Sequence, residues 1–215
     1  QVVYSYSKKI NINNYTSVIK MKSSVLLKYL KDINVNSNNY MTDMLFKILG
    51  GQTEFKKFQQ SRLGLTSNDL QFSTGSGLPV ISMGIRTDNL GSCLAVLKTL
   101  KFINVLSQQL NFDMGHVLLT AGTDNGTYEP TIPMSLNHNM VLKTGRLYDV
   151  PVLNVAGTTS LSSGTLYFAY FTHNFDNDDE SVYQNKRDQI LNSILNFYPT
   201  ISSYQSLSLN SVFAD

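Results

Sequence analysis

A chain of 215 residues and 24.1 kDa is long enough to bury a sizeable core as one domain, or as one large domain with a small appendage. Its formal net charge of +2, with 15% charged residues, excludes the footprint of a nucleic-acid binder and an acidic tail. The lone cysteine, Cys93, excludes a disulfide framework and a cysteine-built metal site.

The polar share comes from hydroxyls and amides, including 21 Asn, which suits loops and turns and equally a low-GC coding bias. No apolar run reaches the roughly 18 residues of a membrane span, so none is expected. Gln1-Val-Val-Tyr4 is not a signal peptide and carries no initiator Met, so the chain is expected to start after a processing boundary.

Residues 1–22 alternate short apolar and polar stretches and read as an edge strand and connector. Ser23 to Ile33 reads as a helix, capped by Ser23 or Ser24, with Val25, Leu26, Tyr29, Leu30 and Ile33 on one face. Asn34 to Asn39 is expected to break it. Tyr40 to Leu49 is a second helix, with Asn38 or Asn39 as N-cap and Gly50-Gly51 as its close.

Glu54 to Leu63 reads as a short helix ending near Gly64, and Gln71 to Pro79 as a Gly-rich loop. That loop fits neither a phosphate-binding loop nor a dinucleotide fingerprint. A helix is expected from Thr87 to Leu100, burying Leu90, Leu94, Leu97 and Phe102 and enclosing Cys93 as a buried thiol; a shorter helical piece follows over Asn104 to Asn111.

His116 to Gly122 leads into a turn-rich loop around Asn125-Gly126, and Thr131 to Asn139 is irregular. Val141 to Leu147 is a strand placed at a sheet edge. Val150 to Gly157 and Thr165 to Thr172 read as a hairpin joined through Thr158 to Gly164. Asn174 to Glu180 is an acidic turn, Ser181 to Phe197 a terminal helix, and Pro199 to Asp215 a loosely packed tail.

Lys143-Thr144-Gly145 has the make-up of an anion-binding edge. The lysine supplies charge, Thr144 a donor, and Gly145 close approach of a substrate backbone. By itself the triplet also fits a solvated lysine that blunts a sheet edge. Ser37-Asn38-Asn39 also fits a plain N-cap cluster, and Gly75-Ser76-Gly77 a plain turn. His116, His138 and His173 lack metal-ligand spacing and read as structural or exposed. Asp176, Asp178, Asp179 and Glu180 depart from a calcium loop and read as a solvated turn.

Taken together, Ser37-Asn38-Asn39 before a helix, Thr74-Gly-Ser-Gly-Leu78, Ala121-Gly-Thr-Asp-Asn-Gly-Thr127 and Lys143-Thr144-Gly145 stand in a fixed order. That order resembles the penicillin-binding D-alanyl-D-alanine carboxypeptidase/endopeptidase family, serine peptidases with a large insert between their first two motifs. The likeness covers about Ser23 to Asn196. It implies an α/β (α+β) fold of the transpeptidase/β-lactamase-like kind, an antiparallel sheet with flanking helices, with residues 23–198 as the C-terminal part of that domain.

The resemblance also implies roles. Ser37 would relay a proton to the leaving amine. Asn39 would hold the substrate amide or orient the missing lysine, and Lys143 would attract the substrate carboxylate. Thr144, Gly145, Arg146 and Ser76 would bind substrate, the Arg146 backbone N–H serving as an oxyanion donor and its side chain pairing with the carboxylate. Peptidoglycan stem peptides and β-lactams would be the ligands and the bacterial cell envelope the location, with neither metal nor organic cofactor.

Departures accompany the likeness: Thr74 where the family usually has Asp, Pro79 where it usually has Ser, and Arg146 where a small hydroxyl residue is common. The family's Ser-x-x-Lys nucleophile lies far upstream of Ser-x-Asn. Ser5-Tyr-Ser-Lys8 and Ser17-Val-Ile-Lys20 match only its spacing, so an N-terminal half of the same protein is the expected source. A catalytically inactive homologue binding peptidoglycan or a protein partner is the alternative. An unrelated β-rich binding domain would leave Ser37 and Lys143 far apart; the family reading brings them to one cleft.

Overall fold

The computed structural model describes residues 26–126, 139–173, 175, 176, 179–198 and 204–207. The strand expected over 1–22, both Ser-x-x-Lys spacings, Val25, His138, Asp178 and most of the irregular stretch before Asn139 lie outside them.

Helices α1 (Leu26–Asn36) and α2 (Asn39–Ile48) form the first unit. α1 does not break at Asn34. That residue's amide donates to the Val117 carbonyl at 2.9 Å instead of competing for its own backbone, and Val35 packs in the core. The break is a single residue, Ser37, at φ 51° in the left-handed region. Asn38 then caps α2, its side chain accepting from the Met41 N–H at 3.0 Å.

Gly50, at φ 96°, turns the chain into α3 (Gly51–Phe58), which widens into one π turn over Gln59–Leu63 and stops at Gly64 in the left-handed region. Phe55 stacks edge-on against Phe72, with ring centroids 4.6 Å apart, beside Leu63, Leu65, Leu70 and Ala95. This small apolar cluster ties the Gly-rich loop to the body of the domain.

Two short antiparallel ladders follow, β1 (Leu70–Gln71) with β4 (Leu90–Gly91) and β2 (Val80–Ser82) with β3 (Ile85–Thr87). They take in Thr87, Leu90 and Gly91, residues expected to open a helix. The helix itself, α4, runs unbroken over Cys93–Gln109, capped by Ser92 on the Ala95 N–H. Asn104 stays helical and sends its amide to the Tyr167 hydroxyl, 2.9 Å away. Burial of Leu90, Leu94 and Cys93 does not occur. Leu90, in β4 and outside the helix, is 62% exposed; Leu94 is 61% exposed and Cys93 is exposed, because the buried side of α4 carries Ala95, Leu100 and Ser107.

The main sheet has four antiparallel strands in the order β5 (Leu119–Thr120), β6 (Met140–Leu147), β7 (Val152–Leu161) and β8 (Gly164–Phe171). The β7–β8 hairpin is tighter than expected. Thr158 to Leu161 stay paired, and only Ser162 and Ser163 turn before Gly164. Alternation along the strands sends successive side chains to opposite faces. Met140, Leu142, Val155 and Phe168 pack with Val35 and with Leu191 of α5 (Glu180–Phe197). Val141 packs instead with Leu100 of α4, Met114, Leu118 and Tyr204.

This is the expected α/β class, an antiparallel sheet with flanking helices. Of the tail expected to be loose, Tyr204 is 8% exposed, its hydroxyl 2.9 Å from the Thr158 hydroxyl. Ser206 hydrogen-bonds to Asp124. No helix among the described residues is long and apolar enough to cross a membrane.

Candidate active site

Strand β6 is flanked by β5 only at Val141 and Leu142, so from Lys143 to Leu147 its outer edge faces no strand among the described residues. That open edge borders a cleft of about 1080 Å³, lined by Ser37, Asn39, Ser76, Lys143, Thr144, Gly145 and Arg146 among others. An unpaired strand edge offers backbone donors and acceptors to an extended peptide.

Lys143 spans the cleft wall. Its ammonium donates to the Ser37 hydroxyl oxygen at 2.9 Å and to the Thr144 carbonyl at 2.6 Å. Burial pushes its pKa down to about 8, because the charged form loses hydration that these two acceptors replace only in part. An ammonium only donates, so the Ser37 oxygen is the acceptor and the serine's own hydrogen stays free for another partner. Ser37 is delivered by the left-handed turn between α1 and α2, a conformation costing about 1–2 kcal/mol outside glycine. Asn39, exposed, opens α2 on the same cleft.

The Gly-rich loop supplies the opposite rim. Ser76 is held to α2 twice: its N–H and its hydroxyl both donate to the Asp43 carboxylate, at 2.8 and 3.1 Å. Gly75 must be glycine for this approach, since a Cβ there would stand 2.6 Å from the Thr42 carbonyl oxygen and 2.7 Å from Phe46 Cβ. Thr144 and Gly145 lie on the open edge, and Gly145 has room above it, with only Asn154 Cβ near at 3.9 Å. The Arg146 guanidinium is engaged: it pairs with Glu180 and lies 4.2 Å from the centre of the Tyr148 ring.

One supporting group has no counterpart among the sequence expectations. Lys31, 0% exposed, donates at 2.7 Å to each of the Gly115 and Leu118 carbonyls and pairs with Asp124. Asp124 also accepts from the Thr120 N–H at 2.5 Å and from Ser206. This buried pair locks α1, and hence the turn that carries Ser37, to the loop that follows β5. The signal in the sequence is a lysine inside an apolar helical stretch, which is ordinarily solvated.

A family model described as D-Ala-D-Ala carboxypeptidase 3 (S13) matches residues 5–194. The chain belongs to this family. Among solved structures it is similar to the predatory endopeptidase Bd0816 of Bdellovibrio bacteriovorus, determined in complex with immunity protein Bd3460. The TM-score is 0.75 and the identity 27%, over 93% of this chain and 53% of that one. Bd3459, a predatory peptidoglycan endopeptidase of the same organism, matches with a TM-score of 0.72 and 25% identity, over 85% of this chain and 46% of that one.

Penicillin-binding protein 4 of Haemophilus influenzae, complexed with a β-lactam, shares the fold at a TM-score of 0.59 and 22% identity, over 77% and 40% of the two chains. The chain therefore spans about half the length of the Bdellovibrio relatives it matches. No curated protein sequence matches it.

Within this S13 family member the loop departure at Thr74 has a local account. Its hydroxyl donates to the Leu78 carbonyl at 2.8 Å and accepts from the Gly77 N–H, closing the loop on itself. The carboxylate that holds the loop comes from α2, as Asp43. Among the described residues no group of three or more His, Cys, Asp or Glu side chains stands where it could hold a metal ion.

Proposed function

We propose that this chain carries the Ser-x-Asn and Lys-Thr-Gly walls of a serine-type D-Ala-D-Ala carboxypeptidase/endopeptidase site that acts on peptidoglycan stem peptides and is acylated by β-lactams. The observation that carries the reading is the Lys143–Ser37 hydrogen bond, which joins two motifs 106 residues apart at the open edge of β6.

In this reading the substrate lies along the β6 edge as an added strand. Gly145 admits its backbone, and Thr144 donates to it. Lys143 draws the anionic end of the substrate, or the β-lactam carboxylate, into the cleft. Ser37 accepts from Lys143 and so keeps its own hydrogen aimed at the leaving nitrogen, a proton relay worth roughly 10²–10⁴-fold. Asn39 holds the substrate amide, the Arg146 N–H contributes one oxyanion donor, and Ser76 anchors the loop that walls the far side. The nucleophile is a Ser-x-x-Lys serine outside the described residues, in an upstream half of the same protein, and the enzyme works in the bacterial envelope.

The test is covalent labelling with a fluorescent penicillin, on this chain and on the full-length gene product, followed by peptide mapping of the adduct. Labelling of the full-length product at a Ser-x-x-Lys serine is the expected result. Absence of an adduct on either would overturn the enzymatic reading in favour of an inactive, peptidoglycan-binding homologue.

A further inference from the structure

The cleft has two rims, and one guanidinium ties them together. Arg86, on β3, grips Asp88: its Nε lies 3.0 and 2.8 Å from the two carboxylate oxygens and its Nη2 2.7 Å from Oδ1. Its remaining nitrogen, Nη1, donates to Asp149 in the turn between β6 and β7. Asp88 lines the cleft on the Gly-rich side. Tyr148 and Val150, the neighbours of Asp149, line it on the strand side.

The Gly-rich side is stiff behind this grip. Asn89 accepts from the Ser73 and Thr74 N–H groups at 2.7 and 3.1 Å and donates to the Thr74 carbonyl at 2.8 Å. A displacement of Asp88 therefore passes to the loop that carries Ser76. Hydrogen bonds from Arg86 hold the Asp88 and Asp149 carboxyls below the usual carboxylate range, so both are charged at neutral pH.

The bridge stands at one end of the open edge. Lys143 begins that edge beside Ser37, and Leu147 ends it roughly 14 Å further on, at the rise of an antiparallel strand. In the peptidase reading, on which this inference rests, the ligand's carboxylate sits at Lys143 and its backbone over Gly145. The acyl side of the ligand then runs on toward Tyr148 and meets the bridge. A compact acyl side chain stops short of it. A bulky one needs the rims apart, which breaks the Arg86–Asp149 pair. We propose that Arg86 is a positioning residue that sets specificity: by joining Asp88 to Asp149 it fixes the width of the cleft beyond Gly145 and selects ligands with compact acyl side chains.

The experiment measures acylation of the full-length protein by benzylpenicillin and by piperacillin, each in competition with a fluorescent penicillin. The two share a bicyclic core and carboxylate and differ in the bulk of the acyl side chain. Asp149→Asn opens the bridge and leaves Arg86 on Asp88; Arg86→Gln removes both contacts. Each variant should raise the piperacillin rate relative to benzylpenicillin by roughly twofold to fivefold, the range of a partly exposed ion pair. The benzylpenicillin rate and the thermal midpoint should stay close to wild type, and Asp149→Glu should keep the wild-type ratio. Salt screens an exposed pair, so 0.5 M NaCl should move the wild-type ratio toward that of the variants and leave theirs unchanged.

A ratio that neither variant shifts, an equal fall for both penicillins, or a wild-type ratio indifferent to salt overturns the inference while leaving the peptidase reading intact. A wild type that takes neither penicillin overturns both.

Discussion

The Lys143 ammonium and the Ser37 hydroxyl meet at 2.9 Å although 106 residues separate them, and each is placed by a different kind of element. Lys143 sits on a strand whose outer edge is open, Ser37 on a left-handed turn between two helices. Two groups that act as one unit lose most of their effect when either is removed. Lys143→Met and Ser37→Ala in the full-length protein should each slow penicillin acylation or peptide cleavage by roughly 10²-fold or more. The double variant should be little worse than the poorer single one. Independent, multiplying losses in that double-mutant cycle would show that the contact is not a functional unit.

The pH dependence of stability has a definite sign at Lys143. Its folded pKa is pushed down to about 8 by burial, below the ordinary lysine value of 10.5. Below about pH 8 both states hold the proton and the folded state bears the desolvation penalty. Between about 8 and 10.5 the unfolded chain binds more protons, so stability from this group rises with pH; above 10.5 the penalty is gone. Lys31 is pushed the same way by burial, so the group is isolated by difference. Lys143→Met should be more stable than wild type at pH 7, by at most on the order of 3 kcal/mol, and the gap should close by pH 10.5. Urea unfolding at several pH values checks it. A gap that widens with pH would refute the assignment.

Much of this site is legible in the sequence, because its motifs are short, local and chemically distinctive. Ser37 falls within the break expected over Asn34 to Asn39, Asn38 is one of the two expected N-caps, and Lys143-Thr144-Gly145 lies on the strand expected over Val141 to Leu147, though the lysine is not the solvated one its triplet also fits. Where local pattern misleads, tertiary context overrides it. The gap expected between Leu100 and Asn104 does not occur: α4 runs through it, and Asn104 donates its amide to the Tyr167 hydroxyl. Leu90 and Leu94 fit a buried stripe and yet are exposed, Leu90 because it pairs in the short ladder β1–β4 and not in the helix, Leu94 because the core side of α4 is built on Ala95 and Leu100. Tyr204 lies in a serine-rich segment with no periodicity, so its place beneath the sheet leaves no local trace. Lys31 and Asp124 are 93 residues apart, and nothing in either segment announces the other.

That buried pair gives a stability prediction. The side chains of Lys31 and Asp124 are 0% and 8% exposed, so removing one partner leaves the other charged and desolvated. Lys31→Met and Asp124→Leu should each cost about 3–5 kcal/mol in urea unfolding, and the double variant much less than their sum. Additive losses would mean that the carbonyl contacts of Lys31, not its pairing, do the holding.

Gly157 and Gly75 separate the fold from the site. A Cβ on Gly157 would stand 2.2 Å from the Val141 carbonyl oxygen and 2.8 Å from the Phe168 ring, in the middle of the β6–β7 pairing. Backbone that is hydrogen-bonded on both sides has nowhere to go, so Gly157→Ala should destabilise the whole domain by about 1–3 kcal/mol and lower its thermal midpoint. The clash at Gly75 is less severe, 2.6 Å from the Thr42 carbonyl oxygen, and it lies between a surface loop and α2, where the loop can lift at the cost of its own bonds. Lifting it breaks the Ser76–Asp43 bonds and moves one rim of the cleft away from Lys143. Gly75→Ala should therefore leave the thermal midpoint within a few degrees of wild type while weakening penicillin acylation of the full-length protein roughly tenfold to a hundredfold. If Gly75→Ala instead melts the domain like Gly157→Ala, the loop belongs to the core; if it leaves acylation untouched, the loop is no wall of the site.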